Sequence, residues 1–439
     1  MKFLHLGLFL FVAMPAVAGA QTRPSPLKDT DFRAHTPAEI ALGQLLFWDP
    51  ELSGNRNISC GTCHNPRFGT GDGVSLSLGE GGIGLGPARR PDPANMPEQR
   101  IPRNAPALFN LGVLSLKNLF YDGRIETDTR RASGFRTPLE DEMVAGFASL
   151  VSAQAMFPVL ASDEMAGHYS ENEISQAVRQ GRLTGPDGAW QRIAKRIAAI
   201  PEYQAMFDKA YPDIAAGRPL QFTDISNAIA AFVSAEWRSD SAPFDAWLRN
   251  EADLPAPAAA GAELFYGKAG CAVCHSGPLL TDQGFHAMGE PQLGPGKTER
   301  FETNQRDLGR MRVTNRAEDA YAFRTPSLRN VTATAPYGHA GAHNDLHSFI
   351  RFHSDPVAGL ANYKPQAILP EFTPTADDWV ISRDWSEIAA AVTRPATRLS
   401  DAEITAILAF LDSLTDPQAL KGRLGIPDTV PSGLPIDRN

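Results

Sequence analysis

Two short motifs in this sequence combine residues that could attach and ligate a metal cofactor. The pattern C-x-x-C-H occurs at residues 60–64 and again at residues 271–275. Two thiols three positions apart can each form a thioether to one porphyrin, and the histidine that follows is then held as an axial ligand of the iron. The residues concerned are Cys60, Cys63 and His64 in the first motif and Cys271, Cys274 and His275 in the second. The motifs therefore predict two covalently bound haem c groups.

The four cysteines of the motifs are the only ones in the chain, and they have two other possible uses. In an exported protein they could pair as disulfides, but a C-x-x-C pair typically closes as a redox motif and no βαβ pattern surrounds either pair. They could also hold zinc, but the two pairs lie in different halves of the chain, far beyond the ligand spacing of a zinc finger. A histidine follows both pairs, which favours haem attachment over both alternatives.

The first 20 residues have the pattern of a secretory signal peptide. Lys2 supplies a positive charge, residues 3–17 are almost wholly apolar, and residues 18–20 read Ala-Gly-Ala, a typical cleavage site. We expect removal of residues 1–20, a mature chain that begins at Gln21, and a periplasmic location, with an uncleaved N-terminal anchor as the alternative. No later stretch of the sequence is long and apolar enough to span a bilayer.

Composition and length limit the class of protein. The formal net charge of -9 is unlike that of a nucleic-acid-binding protein, which needs a basic surface, and it suits contact with a basic electron donor. The length of 439 residues suggests two domains. We expect an N-terminal haem domain over residues 21–218 and a C-terminal haem domain over residues 219–439.

Helical patterns surround both motifs, whereas strand signals are sparse. Thr36 and Glu39 form a capping box before an apolar stripe that ends at Phe47, and residues 400–414 begin with a second capping box. The longer helical pattern of residues 222–247 is expected to begin the second domain.

A short repeat links the helical patterns to the motifs. The sequence Gly-x-x-Leu-Phe precedes each motif, at residues 43–47 and 261–265. The 37 glycines and 35 prolines imply long loops between the helices. We therefore expect a mainly α fold with two cytochrome-c-like helical haem domains and long loops.

Several further runs resemble the bacterial di-haem cytochrome c peroxidase and MauG superfamily. They are Arg-Asn-Ala-Pro at residues 103–106, Phe-Tyr-Asp-Gly-Arg at residues 120–124, Phe-Arg-Thr-Pro-Ser-Leu-Arg-Asn at residues 323–330 and Thr-Ala-Pro-Tyr at residues 334–337. The resemblance covers residues 36–415 and leans to the MauG-like branch, with the methanobactin-associated di-haem enzymes as the nearest relatives. It implies a peroxidatic first domain and an electron-transfer second domain.

The resemblance implies a peroxide-binding pocket over the first haem. The family pattern of Gln, Pro and Glu-Met occurs here as Gln154, Pro158 and Glu164. In that pattern Glu164 is the acid–base residue and Gln154 its hydrogen-bonding companion, and a carboxylate can move a proton between the two oxygens of a peroxide. Glu142 lies in a similar run and is the alternative acid–base residue.

The resemblance also indicates that the first haem is open. Members of the peroxidase branch carry a histidine soon after the first motif, which blocks the iron until the protein is reduced. Glu80 stands at the matching position here, and no histidine occurs between His64 and His168. We therefore expect a five-coordinate first haem that is accessible to peroxide.

The far ligand of the second haem is expected to be His353, by its position after the run at residues 334–337. The competing residues are His339, His343, His347, Met288 and Met311. Of these, His339 is expected to lie behind the ligands, and His343 and His347 to be exposed or structural. Ligation by His275 and His353 would lower the potential of this haem by roughly 200 mV relative to a Met/His pair, and would suit it to store an oxidising equivalent.

Four further features follow from the resemblance alone. Tyr121 matches the tryptophan that lies between the two haems, and Arg324 matches an arginine near the second haem, where a propionate would be its partner. A calcium ion between the haems would take the side chain of Asn104 and the backbone carbonyls of Thr334 and Pro336, and ligation by oxygen suits this hard cation. A long segment at residues 125–153 is expected to shape a partner surface.

These expectations combine into one function with two alternatives. The chain is expected to activate hydrogen peroxide at the first haem, to store an oxidising equivalent on the second, and to oxidise a side chain of a partner protein, such as a tryptophan. One alternative is a cytochrome c peroxidase that takes electrons from a small cytochrome or cupredoxin. The other is a non-catalytic electron carrier with two saturated haems.

Overall fold

The computed structural model describes residues 23–294, 306–370 and 385–438, and helices dominate these ranges. The predicted mainly α fold is thereby confirmed. The signal peptide predicted for residues 1–20 and the mature start at Gln21 lie outside the described residues. Within these three ranges, every helix is too short or too polar to cross a membrane.

The elements are short and numerous. The helices are α1 (Pro37–Trp48), α2 (Cys60–Cys63), α3 (Leu150–Ala155), α4 (Glu173–Arg179), α5 (Ala189–Ala198), α6 (Pro201–Ala210), α7 (Pro212–Ala215), α8 (Phe222–Glu236), α9 (Pro243–Leu248), α10 (Ala256–Tyr266), α11 (Met311–Thr314), α12 (Leu346–Ser354), α13 (Pro356–Ala361), α14 (Trp385–Ala391), α15 (Asp401–Asp412) and α16 (Pro417–Lys421). The strands are β1 (Gly82–Ile83), β2 (Arg90–Pro91), β3 (Asn118–Leu119), β4 (Ile125–Thr127), β5 (Phe135–Arg136), β6 (Phe285–His286) and β7 (Phe323–Arg324).

The first hydrophobic core forms where α1 crosses α8. Helix α1 begins at the predicted capping box, in which the Thr36 hydroxyl accepts from the Glu39 N–H at 3.2 Å and the Glu39 carboxylate accepts from the Thr36 N–H at 2.8 Å. The buried side chains of α1, among them Leu42 and Phe47, face α8. Phe47 packs on Phe232 with ring centroids 5.3 Å apart. Helix α1 thus leads the chain from a stable core into the first C-x-x-C-H motif.

The second core repeats this arrangement with α10 and α15. Helix α15 begins at the predicted capping box of Ser400 and Glu403. Phe265 of α10 packs on Phe410 of α15 with ring centroids 5.0 Å apart. Helix α10 leads into the second motif as α1 leads into the first. Each haem motif therefore follows a helix that crosses the long helix of its own core.

Helix α8, which was expected to begin the second domain, packs in the first core. The helical pattern also divides into two helices, because Pro243 starts α9 and cannot continue a preceding helix. The apolar face of α8 packs on α1, which is far away in the sequence. The apolar pattern of a helix shows which face is buried but not which helix covers it. We propose a domain boundary between α8 and α9 in place of the boundary at residues 218 and 219.

The C-terminal segment returns to the first core instead of remaining with the second. The Ser432 hydroxyl donates to Asp49 Oδ1 at 2.7 Å, and the Thr62 hydroxyl donates to Asp437 Oδ2 at 2.7 Å. Apolar side chains of this segment, such as Val430, are buried in the first core. The range of residues 219–439 therefore contributes to both cores.

Three small antiparallel sheets arrange the loops between the cores. Strands β3, β4 and β5 form one of them, and β1 pairs with β2 in another. In the third, β6 pairs with β7, so that Phe285 lies opposite Arg324 and His286 opposite Phe323. This pairing brings residues that are about forty positions apart in the chain to the same side of the second motif.

Candidate haem sites

The two motif histidines are oriented by the same kind of hydrogen bond. His64 Nδ1 lies 3.0 Å from the Thr70 carbonyl oxygen, and His275 Nδ1 lies 3.1 Å from the Leu280 carbonyl oxygen. A backbone carbonyl that accepts from Nδ1–H leaves Nε2 free to ligate a metal. Burial lowers the pKa of both rings, that of His275 to about 4, so both are neutral at physiological pH. Neutral imidazoles with a free Nε2 are suited to bind iron.

A cavity of about 320 Å³ lies beside the second motif. Its lining includes Cys271, Cys274, His275 and His353. The rings of His275 and His353 face this space with centroids 6.4 Å apart. An iron atom bound by both rings would require nearly this separation. Two metal–imidazole bonds of about 2 Å and a ring radius of about 1 Å on each side add up to about 6 Å. Burial, and then the neighbouring His275, lower the pKa of His353 to about 3, so this ring is also neutral.

The other candidate ligands of the second haem lie in different surroundings. Met288 lines the same cavity. His339 also lines the cavity, but its ring is stacked on Phe323 and its Nε2 lies 3.0 Å from Asp307 Oδ2, so this nitrogen is engaged with a carboxylate. Met311 begins α11.

The remaining two histidines face away from His275. His343 is buried among Phe349, Phe352 and Tyr363, with its ring centroid 4.7 Å from that of Phe352. Burial lowers its pKa to about 4, so the ring is neutral. His347 is partly exposed, 3.8 Å from Asp401. Of the four histidines considered as the far ligand, His353 is the one whose ring lies beside that of His275.

Two arginines line the cavity of the second motif, Arg103 and Arg324, and neither forms an ion pair with a carboxylate of the described residues. Arg324 Nε donates to the Phe120 carbonyl at 3.2 Å, and burial together with the charge of Arg103 lowers the pKa of Arg324 to about 10. Within the described ranges, the buried Nε of Arg103 has no hydrogen-bond partner. Two buried cations around one space require an anion, and a carboxylate pair such as the propionates of a porphyrin supplies it. The donor set of this cavity therefore fits a haem c.

Glu164 lies beside the first motif. It belongs to a π-helical turn, Ser162–Ala166, and its carboxylate is one of the charges that act on Cys63, whose pKa is raised to about 12, mainly by burial. The rival Glu142 is exposed in a short turn that lies outside this contact. Gln154 is half-buried at the end of α3, and Pro158 begins the turn that follows. The structure thus brings Glu164, and not Glu142, to the first haem motif.

Glu80 is buried and held by three amides. Its Oε1 accepts from the Nδ2 atoms of Asn55, Asn57 and Asn95 at 2.9, 2.9 and 2.6 Å. Its backbone N–H donates to the Asp163 carbonyl at 3.0 Å, beside the turn that carries Glu164. These asparagines were missed by sequence reasoning, because isolated asparagines in loops carry no pattern. All three amides bind the same oxygen of the Glu80 carboxylate and fix its position.

Tyr121 lies on the wall of the second cavity, next to one histidine and two arginines. Its ring centroid is 4.7 Å from that of His339, and the guanidinium carbons of Arg103 and Arg124 lie 5.0 Å from it. Burial and the charge of Asp307 raise the pKa of Tyr121 well above its usual value. The ring of the preceding residue, Phe120, contacts Phe157, which lies beside Pro158 of the predicted peroxide pocket. Residues 120 and 121 therefore contact both candidate haem sites.

The predicted calcium ligands are partly assembled. Asn104 Nδ2 lies 3.3 Å from the Pro336 carbonyl oxygen, and Thr334 is two residues before Pro336. Within the described ranges, the buried Oδ1 of Asn104 has no hydrogen-bond partner. Rotation of the amide by half a turn would place this oxygen beside the Pro336 carbonyl, which would then suit a cation between them. The donor set is compatible with calcium.

The sequence matches known di-haem proteins. A family model described as di-haem cytochrome c peroxidase matches residues 37–253. The methylamine utilization protein MauG of Methylorubrum extorquens is 30% identical over 331 residues, which are 75% of this chain and 72% of that protein. The cytochrome c551 peroxidase of Pseudomonas aeruginosa is 31% identical over 327 residues, 74% of each chain.

Solved structures share the fold. A MauG-like protein associated with microbial copper homeostasis superimposes with a TM-score of 0.58 and 24% identity over 93% of this chain and 97% of that one. The diheme peroxidase BthA from Burkholderia thailandensis superimposes with a TM-score of 0.55 and 21% identity over 90% of both chains. At these identities the likeness concerns the fold.

Proposed function

Because this chain belongs to the di-haem cytochrome c peroxidase family, which includes MauG, and is therefore a haem oxidoreductase, we propose that it uses hydrogen peroxide to oxidise a side chain of a partner protein in the periplasm. The family implies two haem c groups, peroxide and a protein redox partner. Three elements of this function are our proposal: the oxidation of a side chain on a partner protein, the open coordination position of the first haem, and the periplasmic location. The peroxide would bind on the His64 haem, and a tryptophan is the proposed target.

The observation that carries the proposal is the alignment of His275 with His353, at 6.4 Å between ring centroids. A second imidazole in place of a methionine lowers the potential of a haem. A centre of low potential is easily oxidised, so it is better suited to hold an oxidising equivalent than to receive electrons from a high-potential donor. This property favours long-range oxidation of a partner over steady peroxide removal.

The residues around the first motif support the binding of peroxide. The bound haem supplies the iron at which the peroxide O–O bond is cleaved. His64 would hold that iron, and Glu80, which is held by three amides, would not act as a second protein ligand. Glu164 moves a proton from the near to the far oxygen of the peroxide, and Gln154 and Pro158 position the oxidant beside it.

The residues around the second motif bind and neutralise the second haem. His275 and His353 would ligate the iron, and Arg103 and Arg324 would pair with the propionates. Tyr121 carries charge between the two sites. A calcium ion held by Asn104, Thr334 and Pro336 would stiffen the connection between the sites.

A cytochrome c peroxidase is the second candidate function. The 31% identity to the cytochrome c551 peroxidase and the net charge of -9, which suits a basic electron donor, favour it. In this case a small cytochrome or cupredoxin would be the donor, and peroxide removal the purpose.

Two measurements separate these functions. The protein is first oxidised with one equivalent of hydrogen peroxide and then mixed with reduced cytochrome c or with small exported proteins encoded beside its gene. Slow reaction with cytochrome c and a changed mass of an exported protein support the proposal, whereas rapid multiple turnover with cytochrome c and unchanged masses favour the peroxidase. Electron paramagnetic resonance of the ferric protein tests both, because absence of a high-spin signal would leave only the non-catalytic carrier.

A further inference from the structure

We propose that Asp307, held in place by His339, accepts the phenolic proton of Tyr121 when Tyr121 passes an electron from the second haem site to the first. This inference rests on the proposed function and deepens it, because it names the group that makes a tyrosine usable between the two sites. It assigns a role to Asp307, which no motif indicated, and to His339, which the sequence offered only as a competing haem ligand.

A buried tyrosine requires a proton acceptor in order to carry charge. When a phenol loses one electron, its O–H bond becomes strongly acidic. A positive charge left on a buried ring would be costly in a low-dielectric surrounding, more so with Arg103 and Arg124 at 5.0 Å from the ring. The electron can therefore leave readily only if the proton leaves with it to a base nearby.

The structure holds such a base in a fixed orientation. Asp307 Oδ1 accepts from the Gly309 N–H at 3.0 Å, and Oδ2 lies 3.0 Å from His339 Nε2. The backbone of Asp307 is clamped by the Gln292 side chain, which donates to its carbonyl at 2.7 Å and accepts from its N–H at 3.0 Å. A base that is already oriented needs little rearrangement when the proton moves.

His339 connects this carboxylate to the ring of Tyr121. Its own ring is stacked on Phe323 at 3.7 Å and lies 4.7 Å from Tyr121, centroid to centroid. With Nε2–H donating to Asp307, the imidazole stays neutral, since burial lowers its pKa. His339 is therefore a positioning residue, which fixes the carboxylate and supports the proton on it.

The other charged groups around Tyr121 are engaged elsewhere. Asp122 Oδ1 accepts from Arg124 Nε at 2.9 Å. Glu290 accepts from the backbone N–H of His339 at 3.2 Å, and burial raises its pKa to about 7. Of the carboxylates, Asp307 raises the pKa of Tyr121 most strongly, and it lies 3.0 Å from Nε2 of His339, whose ring centroid is 4.7 Å from that of Tyr121. Among the carboxylates of the described ranges, it is the best placed to take the proton.

The step balances as follows. One electron leaves Tyr121 for the first site, which peroxide has already oxidised, while the O–H bond breaks and the proton forms a bond to Asp307. A neutral phenoxyl group remains. One electron from the second site then reduces the phenoxyl group, and the proton returns from Asp307 to the oxygen. Each cycle moves one electron between the sites, with no net proton transfer.

The test follows the redistribution of charge after peroxide is added to the holoenzyme, by stopped-flow absorption in H2O and in D2O, with freeze-quench electron paramagnetic resonance for a tyrosyl radical. We expect a solvent isotope effect in the wild type. Asp307→Asn should slow the redistribution by about 10²-fold, the lower end of the range for a positioned acid or base. Tyr121→Phe should remove the isotope effect, and combining it with Asp307→Asn should slow the reaction no further.

Three further variants make the result specific. Asp307→Glu keeps a carboxylate and should restore most of the rate, which a merely structural role would not require. His339→Gln should reduce the rate less than Asp307→Asn. Asp122→Asn removes a carboxylate at a similar place and should change the rate less than twofold. Circular dichroism verifies that each variant is folded.

The outcomes also separate this inference from the proposed function. If the wild type fails to react with peroxide, the proposed function is wrong, and the inference is wrong with it because no charge would pass through Tyr121. If peroxide reacts but the wild type shows no isotope effect, or Asp307→Asn redistributes charge at the wild-type rate, the inference is wrong while the proposed function stands.

Discussion

Gly43 and Gly261 occupy equivalent places in the two cores, each where the helix before a haem motif crosses the long helix of its own core. A Cβ atom on Gly43 would lie 1.8 Å from the Ala228 carbonyl oxygen, and one on Gly261 would lie 1.9 Å from the Ala406 carbonyl oxygen. The repeated Gly-x-x-Leu-Phe sequence thus has a structural reason. Glycine permits the two helix backbones to approach closely. The crossing of the helices then sets the position of the haem motif that follows each glycine.

Substitution of either glycine should destabilise its own core. Gly43→Ala and Gly261→Ala force a methyl group against a backbone carbonyl, and we expect each to lower the free energy of unfolding by about 1–3 kcal/mol. Denaturant unfolding of the holoprotein measures this change. Ala41→Ser, on the exposed side of α1, is the control and should shift the free energy by less than about 0.5 kcal/mol. Unchanged stability of both glycine variants would contradict the close crossing.

Glu164 should dominate the reaction with peroxide. Glu164→Gln keeps the size of the side chain but removes its ability to carry a proton, and we expect a rate constant with hydrogen peroxide lower by about 10²–10⁴-fold. Stopped-flow absorption of the ferric protein gives this rate constant. Glu142→Gln, in a similar sequence but exposed, is the matched control and should react as the wild type does. A larger loss in Glu142→Gln than in Glu164→Gln would reverse the assignment.

The potential of the second haem should depend on His353. His353→Met replaces an imidazole by a thioether, and we expect the midpoint potential of that haem to rise by roughly 200 mV. A spectroelectrochemical titration measures the shift. His347→Gln, six positions earlier and partly exposed, should leave both potentials unchanged. Equal potentials in His353→Met and in the wild type would exclude His353 as a ligand.

Stability should fall above neutral pH because of His168. The interaction of its ring with Asp163, at 3.5 Å, raises the pKa of His168 to about 9 against the opposing effect of burial. A raised pKa in the folded state adds stability that is complete below pH 6.5 and is lost as the pH rises through 9. We expect a loss on the order of 1 kcal/mol between pH 7 and 10. Denaturant unfolding should show a smaller loss over this range in His168→Gln.

Calcium should stabilise the link between the two sites. We expect chelation with EGTA to lower the melting temperature, and added calcium to restore it, because an ion that binds only the folded state stabilises it. Asn104→Leu, which keeps the approximate volume and removes the amide oxygen, should abolish the response. If the wild type melts at the same temperature with and without EGTA, the site binds no calcium under these conditions.

The haem motifs and the helices that precede them could be predicted because they depend on short spacings. The capping boxes of α1 and α15 begin the helices where they were predicted, since a cap is formed by residues three positions apart. The domain boundary stays a prediction, because the face of α8 does not indicate from the sequence whether its partner is α1 or α10. Glu164 and His353 stay predictions that the geometry supports.

Local chemistry along the chain was sufficient to predict two haem attachment sites, a mainly α fold and the family of oxidoreductases. The tertiary structure decided which histidine faces His275, how Glu80 is held, and that Asp307 and His339 lie against Tyr121. These contacts join loop residues that are far apart in the sequence and follow no periodic pattern. They arise from the packing of the whole chain, which no short spacing encodes.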